Sequence, residues 1–388
     1  EGDLVLATHG RSFWVLDDLG PVRQLQPHTA EQSAVLVKPR TAVRYMSNSG
    51  FSHKPTRGKN YRMPGTVMVT YRQREDPRTG AKENVYLDAG RNPPDGAIVS
   101  YFLREKPDGD ITLTFLEADG REIRTFSSKN VEEPEPSDET AVGEGAEDVT
   151  QQRSETPRKQ KEPRIPKEAG LNRFVWNLRY PEATKIEDDE VANDLVEDGA
   201  QGPIVPPGRY RVRLTVGDSS PEEEFEVQTD PRVAVPEADF AAQFELLMQV
   251  RDKLSVTHGA VNKIRALRKR VEDWASRARD KPELSKVASA ATAVVERLKP
   301  IEAELIQVKA VSRGDTLNFP VRLNGKLAVL AGGIASGDGA PTQAQRGVFS
   351  ELSQRVDRQV DLLDEVVATE VDALNNAIQA AGLPPVGI

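Results

Sequence analysis

The spacing of apolar residues changes twice along this chain, and each change marks a different kind of structure. Leu4 and Leu6, then Phe13 and Val15, alternate at strand spacing with a tight turn at His9-Gly10, which predicts a two-strand hairpin within 1–26. Trp14 falls on the opposite side of the second strand, so both of its faces are apolar, the pattern of a strand covered on two sides. A two-strand sheet is marginal alone. These strands are therefore expected to have partners upstream, and the chain to be the C-terminal part of a longer protein.

Residues 27–96 are irregular, with short strands predicted at 34–38 and 66–71 and much Gly and Pro, and read as a connector that wraps the next domain. From 97 the strand signal strengthens. Runs at 97–105, 111–117 and 122–127 are joined by Pro107-Asp108-Gly109-Asp110 and Ala118-Asp119-Gly120, and Asp-Gly pairs suit the positive φ of tight hairpins. Further strands are expected at 172–180, 210–216 and 224–228. Several short strands with turns between them predict an antiparallel sandwich over 97–230, with Phe174 and Trp176 at its aromatic centre. Within it, 130–168 lacks periodicity. Eight acids and no base occupy 131–148, and six bases against three acids occupy 153–168, so this insertion is expected to be a disordered surface loop.

After Asp230-Pro231 the period becomes helical. Phe240, Phe244, Leu247, Val250 and Leu254, then Val261, Ile264, Leu267, Val271 and Trp274, form one stripe behind a helix start at Pro236-Glu237-Ala238-Asp239. A second helix is predicted at 283–309, kinked or split by Pro300, and a short third at 322–335. The last spans about 342–381, capped by Thr342, with Val348, Leu352, Val356, Leu363, Val367, Val371, Leu374 and Ile378 on its stripe. Residues 231–388 thus read as an antiparallel helical bundle.

Composition narrows the function classes. The 388 residues are 37% hydrophobic and 29% charged, and 52 Lys+Arg against 61 Asp+Glu leave a net charge of −9 spread along the chain. No basic face of the kind that marks nucleic-acid binding is evident. No apolar run is long enough for a membrane span. With no cysteine there can be no disulfide, zinc-thiolate site or cysteine nucleophile. Glu1-Gly2-Asp3 shows no basic-then-apolar leader.

Several strings carry a family likeness. THGRSFWVLDD at 8–18 resembles the closing strands of a propeller blade in bacterial BNR-repeat, sortilin-like proteins, the "glycosyl hydrolase" family, and LNFPVRLNGKLAVLAGGIASGDGAPT at 317–342 resembles the tail of the same family. DGREIRTF at 119–126, AGLNRFVWNLR at 169–179 and PPGRYRVRLTV at 206–216 resemble the Ig-like domain of flagellar hook-capping proteins, which follows the propeller in that family. The resemblance implies a multi-domain protein: terminal β-propeller strands at 1–26, an all-β Ig-like sandwich, then an all-α helical bundle. It also implies export, to a secreted or periplasmic location. Two functions follow as expectations. In one, the chain is a non-catalytic scaffolding and interaction region that braces its own upstream propeller or binds a protein or glycan. In the other, it is the accessory module of an exported, sialidase-like glycoside hydrolase whose active site lies in that propeller. A third possibility is oligomerisation through the long last helix.

Candidate chemistry within the chain is sparse. His9 and Arg11 could face a propeller channel or simply form a turn with a surface arginine. Asp17-Asp18 could contribute oxygens to a cation, though two adjacent acids are too few and a strand end serves as well. The Asp box of sialidases, Ser-x-Asp-x-Gly-x-Thr-Trp, is absent, so the resemblance carries no catalytic residue into this chain. His9, His28, His53 and His258 have no ligand spacing. Gly337-Asp338-Gly339 reads as a helix–helix turn, and the basic run 262–274, with Ile264, Leu267 and Val271 inside it, as a solvated helix face. No catalytic, cofactor-binding or metal-ligating residue is assigned, and no cofactor is expected.

Overall fold

The computed structural model describes residues 2–10, 13–26, 31–45, 58–63, 67–80, 82–90, 94–129, 162–279 and 281–383. They form a β-rich unit, Glu1–Leu178 with Pro207–Asp230, and a helical unit, Arg179–Pro206 with Pro231–Ile388.

The β unit begins with a hairpin of β1 (Leu4–Ala7) and β2 (Phe13–Leu16), followed by a short helix α1 (Gly20–Gln24). Two sheets then face each other. One has the order β10-β9-β12-β13-β4, from Glu122–Ser127, Ile111–Glu117, Gly208–Val216, Glu222–Thr229 and Ala42–Arg44. All its pairs are antiparallel except β13 with β4. The other has the order β11-β8-β3, from Gly170–Trp176, Ala97–Leu103 and Ala34–Leu36, and is antiparallel throughout. A third sheet joins β5 (Asn60–Arg62), β6 (Val69–Glu75) and β7 (Lys82–Tyr86).

Alternation on β9 and β11 puts Phe115 and Trp176 on inner faces, where their rings stack with centroids 4.4 Å apart. Phe126, Phe174 and Phe225 pack around Phe115. Trp176 is wholly buried. Gly96, at φ +126°, brings the backbone against this cluster, and a Cβ there would lie 2.1 Å from the Trp176 carbonyl oxygen. The expected sandwich of two packed sheets is therefore present. Residues 27–96 are more than a wrapping connector, however, since β3 and β4 belong to the two sheets. β4 escapes the sequence pattern because three residues are too few to display alternation.

The expected loop 130–168 divides. Its first part, 130–161, lies outside the described residues. Residues 162–168 are ordered against the β unit, because Ile165 is buried, its N–H donates to Ser127 O, and the Tyr101 hydroxyl donates to Pro166 O. Arg124 on Glu162, Lys167 on Gly109 O and Asn172 on the Glu168 backbone add polar anchors along the same stretch.

The helical unit contains α2 (Glu190–Asp194), α3 (Glu197–Ala200), α4 (Glu237–Ala278), α5 (Ser285–Leu305), α6 (Leu323–Ile334), α7 (Gln343–Val366) and α8 (Asp372–Ala380), with a π-helical turn at Val367–Val371 between the last two. The α4 stripe is buried from Phe240 to Val271, apart from a half-buried Phe244, and packs on α5, α6 and α7. Thr342 and Gln345 form a reciprocal capping box that starts α7. Val348, expected on the α7 stripe, is exposed. α5 is not split at Pro300, one of the two expected outcomes, since the helix continues through it. Leu298, Ile301 and Leu305 on either side of the proline are all buried, so both halves pack into the core. Among the described residues no helix is long and apolar enough to cross a membrane.

Arg179–Pro206 belongs to this unit and not to the sandwich. The reason is a polar stripe on α4 spaced 4, 3, 4 and 3 residues apart. Arg251 donates to Pro181 O at 3.1 Å, and Ser255 Oγ accepts from Thr184 N–H at 3.1 Å. His258 Nδ1 meets Thr184 O at 2.6 Å, and Asn262 donates to Lys185 O while accepting from Glu187 N–H. Arg265 reaches Asp189 at 2.8 Å. An extended segment has its backbone polar groups satisfied by one helix face.

Replacing Trp176 with Ala empties the centre of the sandwich. The expected loss is about 3–5 kcal/mol in denaturant unfolding of the β unit, and a variant that unfolds like the parent would contradict this placement.

Candidate functional site

The feature that stands apart from both cores is the β1–β2 ribbon. Its register pairs Leu4 with Leu16, Val5 with Val15, Leu6 with Trp14 and Ala7 with Phe13. Directly paired residues share a face, so one face carries Leu4, Leu6, Trp14 and Leu16, and the other carries Val5, Ala7, Phe13 and Val15. Every one of these eight side chains is exposed, Phe13 at 74% and Trp14 at 63%. A ribbon apolar on both faces has the composition of the interior of a layered sheet. Single exposed apolar residues are ordinary, but a contiguous exposed group of this kind is unusual on a folded surface.

The root of the ribbon is fixed by polar contacts. The Asp17 carboxylate accepts from Arg40 at 3.2 Å and from Arg173 at 3.3 Å, and Arg40 also approaches Asp3 at 3.5 Å. Asp18, at φ +63°, accepts from Gly20 N–H at 3.0 Å, while its own N–H donates to Asp3. Gln24 pairs with the backbone of Lys38 through both its amide oxygen and nitrogen. Asp17 and Asp18 are thus held by arginine and backbone donors and act as a strand end, the second of the two readings above. Gly10, at φ +83°, forms the turn next to an exposed His9.

Arg11, His28 and His53 lie outside the described residues. His258 is buried beneath the 181–189 segment, and because its Nδ1 faces a carbonyl oxygen the proton sits on Nδ1. Burial pulls its pKa below the ordinary value, opposed by the hydrogen bond to Thr184. Among the described residues no three His, Asp or Glu side chains are grouped as metal ligands. The 337–339 segment links α6 to α7, and Gln243 donates to Gly337 O there at 2.6 Å.

The basic run is solvated at Lys263, Lys269 and Arg270, as expected, but Arg265 and Arg268 are drawn into contacts. Lys263 pairs with Asp364 at 2.8 Å. Arg265 donates from Nε to Glu302 and from Nη2 to Asp189, both at 2.8 Å, and Arg268 donates to the other Glu302 oxygen. Glu302 is 97% buried, a carboxylate set between two guanidiniums. Sequence reasoning missed it, although a signal existed. Glu302 occupies the Leu298–Leu305 stripe of α5, where a charge demands a partner, and Arg265 and Arg268 lie three residues apart on α4.

No protein-family model, curated protein or solved structure matches the chain.

His258 supplies a pH dependence. Its folded-state pKa lies below the unfolded value of about 6.5, so its contribution to stability is complete above that value and is lost as pH falls below it. His258→Gln keeps a donor for Thr184 O and removes the titration. Between about pH 7 and pH 5 the parent's urea midpoint for the helical unit should fall more steeply than the variant's; equal slopes would contradict the account.

Proposed function

We propose that this chain is a scaffolding and interaction region whose β1–β2 ribbon inserts into further β-structure, supplied by the longer polypeptide to which it belongs or by a protein partner. The exposure of both apolar faces of the ribbon carries this reading. Covering them removes apolar area from water, and the outer backbone edges of β1 and β2 offer donors and acceptors for strand addition. The Asp3, Asp17, Arg40 and Arg173 contacts supply a fixed base from which the ribbon is presented.

The likeness of 8–18 to the closing strands of a blade in the BNR-repeat, sortilin-like proteins gives the partner a form. On this reading the ribbon completes a β-propeller, the sandwich is the Ig-like domain that follows it, and the protein is exported. The sandwich and the helices then act as the brace.

Val15→Lys separates the free ribbon from the paired one. In the isolated 388-residue chain, where Val15 is exposed, the change should alter stability by no more than about 0.5 kcal/mol. In the natural polypeptide that carries this sequence it should cost about 2 kcal/mol or more, because a charge would enter a covered face. Equal small effects in both would contradict insertion within a longer polypeptide, and a protein partner that binds Val15→Lys as tightly as the parent would contradict the other arm.

A further inference from the structure

A cleft of about 400 Å³ opens beside the buried carboxylate described above, lined by Arg265, Arg268, Lys299, Glu302, Ala303 and Val308. Three of the six lining residues are cations and one is an anion, so the lining carries a net charge of +2. All six belong to α4, α5 or the loop that follows α5.

The two arginines are not equally occupied. Arg265 is engaged on both sides, by Glu302 and by Asp189. The bond that Arg268 makes to Glu302 uses one nitrogen, Nη1, of a group with five N–H donors. Its side chain is 27% exposed. Glu302 therefore acts as a positioning residue: it fixes one edge of the Arg268 guanidinium and leaves donors on the remaining edge. Lys299 is drawn to Glu296 at 2.6 Å, but both side chains are more than half exposed. Such a pair is weak and exchanges readily for a better anion. Ala303 and the half-exposed Val308 supply an apolar wall.

We infer that this cleft binds a small organic oxyanion, a carboxylate or phosphate on a short apolar body, with Arg268 reading the anionic group and Lys299 adding charge. A guanidinium held from behind by a buried carboxylate is pre-organised for that geometry, since planar oxygen pairs match its fork and little side-chain freedom remains to be lost. Glu302, with one oxygen on each guanidinium, holds side by side two cations that would otherwise repel.

The test is calorimetric titration of the full chain with inorganic phosphate, glycerol 3-phosphate and succinate, each at constant ionic strength set with chloride. At least one of the three should bind saturably at one site. Arg268→Ala and Lys299→Ala should each weaken that binding, Arg268→Ala by about tenfold or more. Arg346→Ala, an exposed cation on α7, should leave it unchanged. Circular dichroism checks that each variant is folded, and Lys299→Ala keeps the test open should Arg268→Ala fail to fold. Absence of saturable binding for all three anions would overturn the inference, as would binding that survives both substitutions.

Discussion

Apolar surface must be covered, and nearly every element of this chain obeys that constraint in a way that can be traced to named residues. In the β unit the Phe115–Trp176 stack joins two sheets and collects the rings of Phe126, Phe174 and Phe225 around it. In the helical unit the α4 stripe does the same with α5, α6 and α7. Other described residues leave single apolar side chains in water, Val329 and Leu317 among them, but the β1–β2 ribbon leaves a whole paired element exposed. Its eight side chains are as apolar as any core strand, yet all remain in water. Its root is held by carboxylate–guanidinium contacts, so the exposed position is a built one. The functional reading rests on that contrast.

Polar groups follow the complementary constraint. Buried charge needs a partner, and Glu302 has two. The backbone of 181–187 needs donors and acceptors, and α4 provides them from Arg251 to Asn262. Arg265 joins the two networks by reaching both Asp189 and Glu302. One face of α4 thus packs, another reads an extended segment, and its basic run borders a charged cleft.

Much of the fold was legible in the sequence because period and burial coincide there. Alternation from 97 to 127 located β8, β9 and β10, and stripes of 3 and 4 located the long helices and the Thr342 cap. What was not legible depends on partners distant in sequence. Ala42–Arg44 is a strand only because β13 lies beside it. Ile165 is anchored only because Ser127 and the sandwich core receive it. Pro300 looks like a break until its neighbours are seen buried on both sides. For the candidate sites the same division holds. The apolar ribbon is plain in the order of residues 4–16, whereas the Glu302 cleft requires two helices to be set side by side.

The most direct measurement of the central claim is hydroxyl-radical footprinting of Phe13 and Trp14, with buried Trp176 as the internal reference. In the isolated chain both residues should be oxidised far faster than Trp176. In the presence of the β-structure proposed to cover the ribbon, their rates should drop toward that of Trp176 while the rest of the β unit keeps its pattern. Rates for Phe13 and Trp14 that stay equally high in both settings would contradict the account, leaving the ribbon a free surface that no β-structure covers.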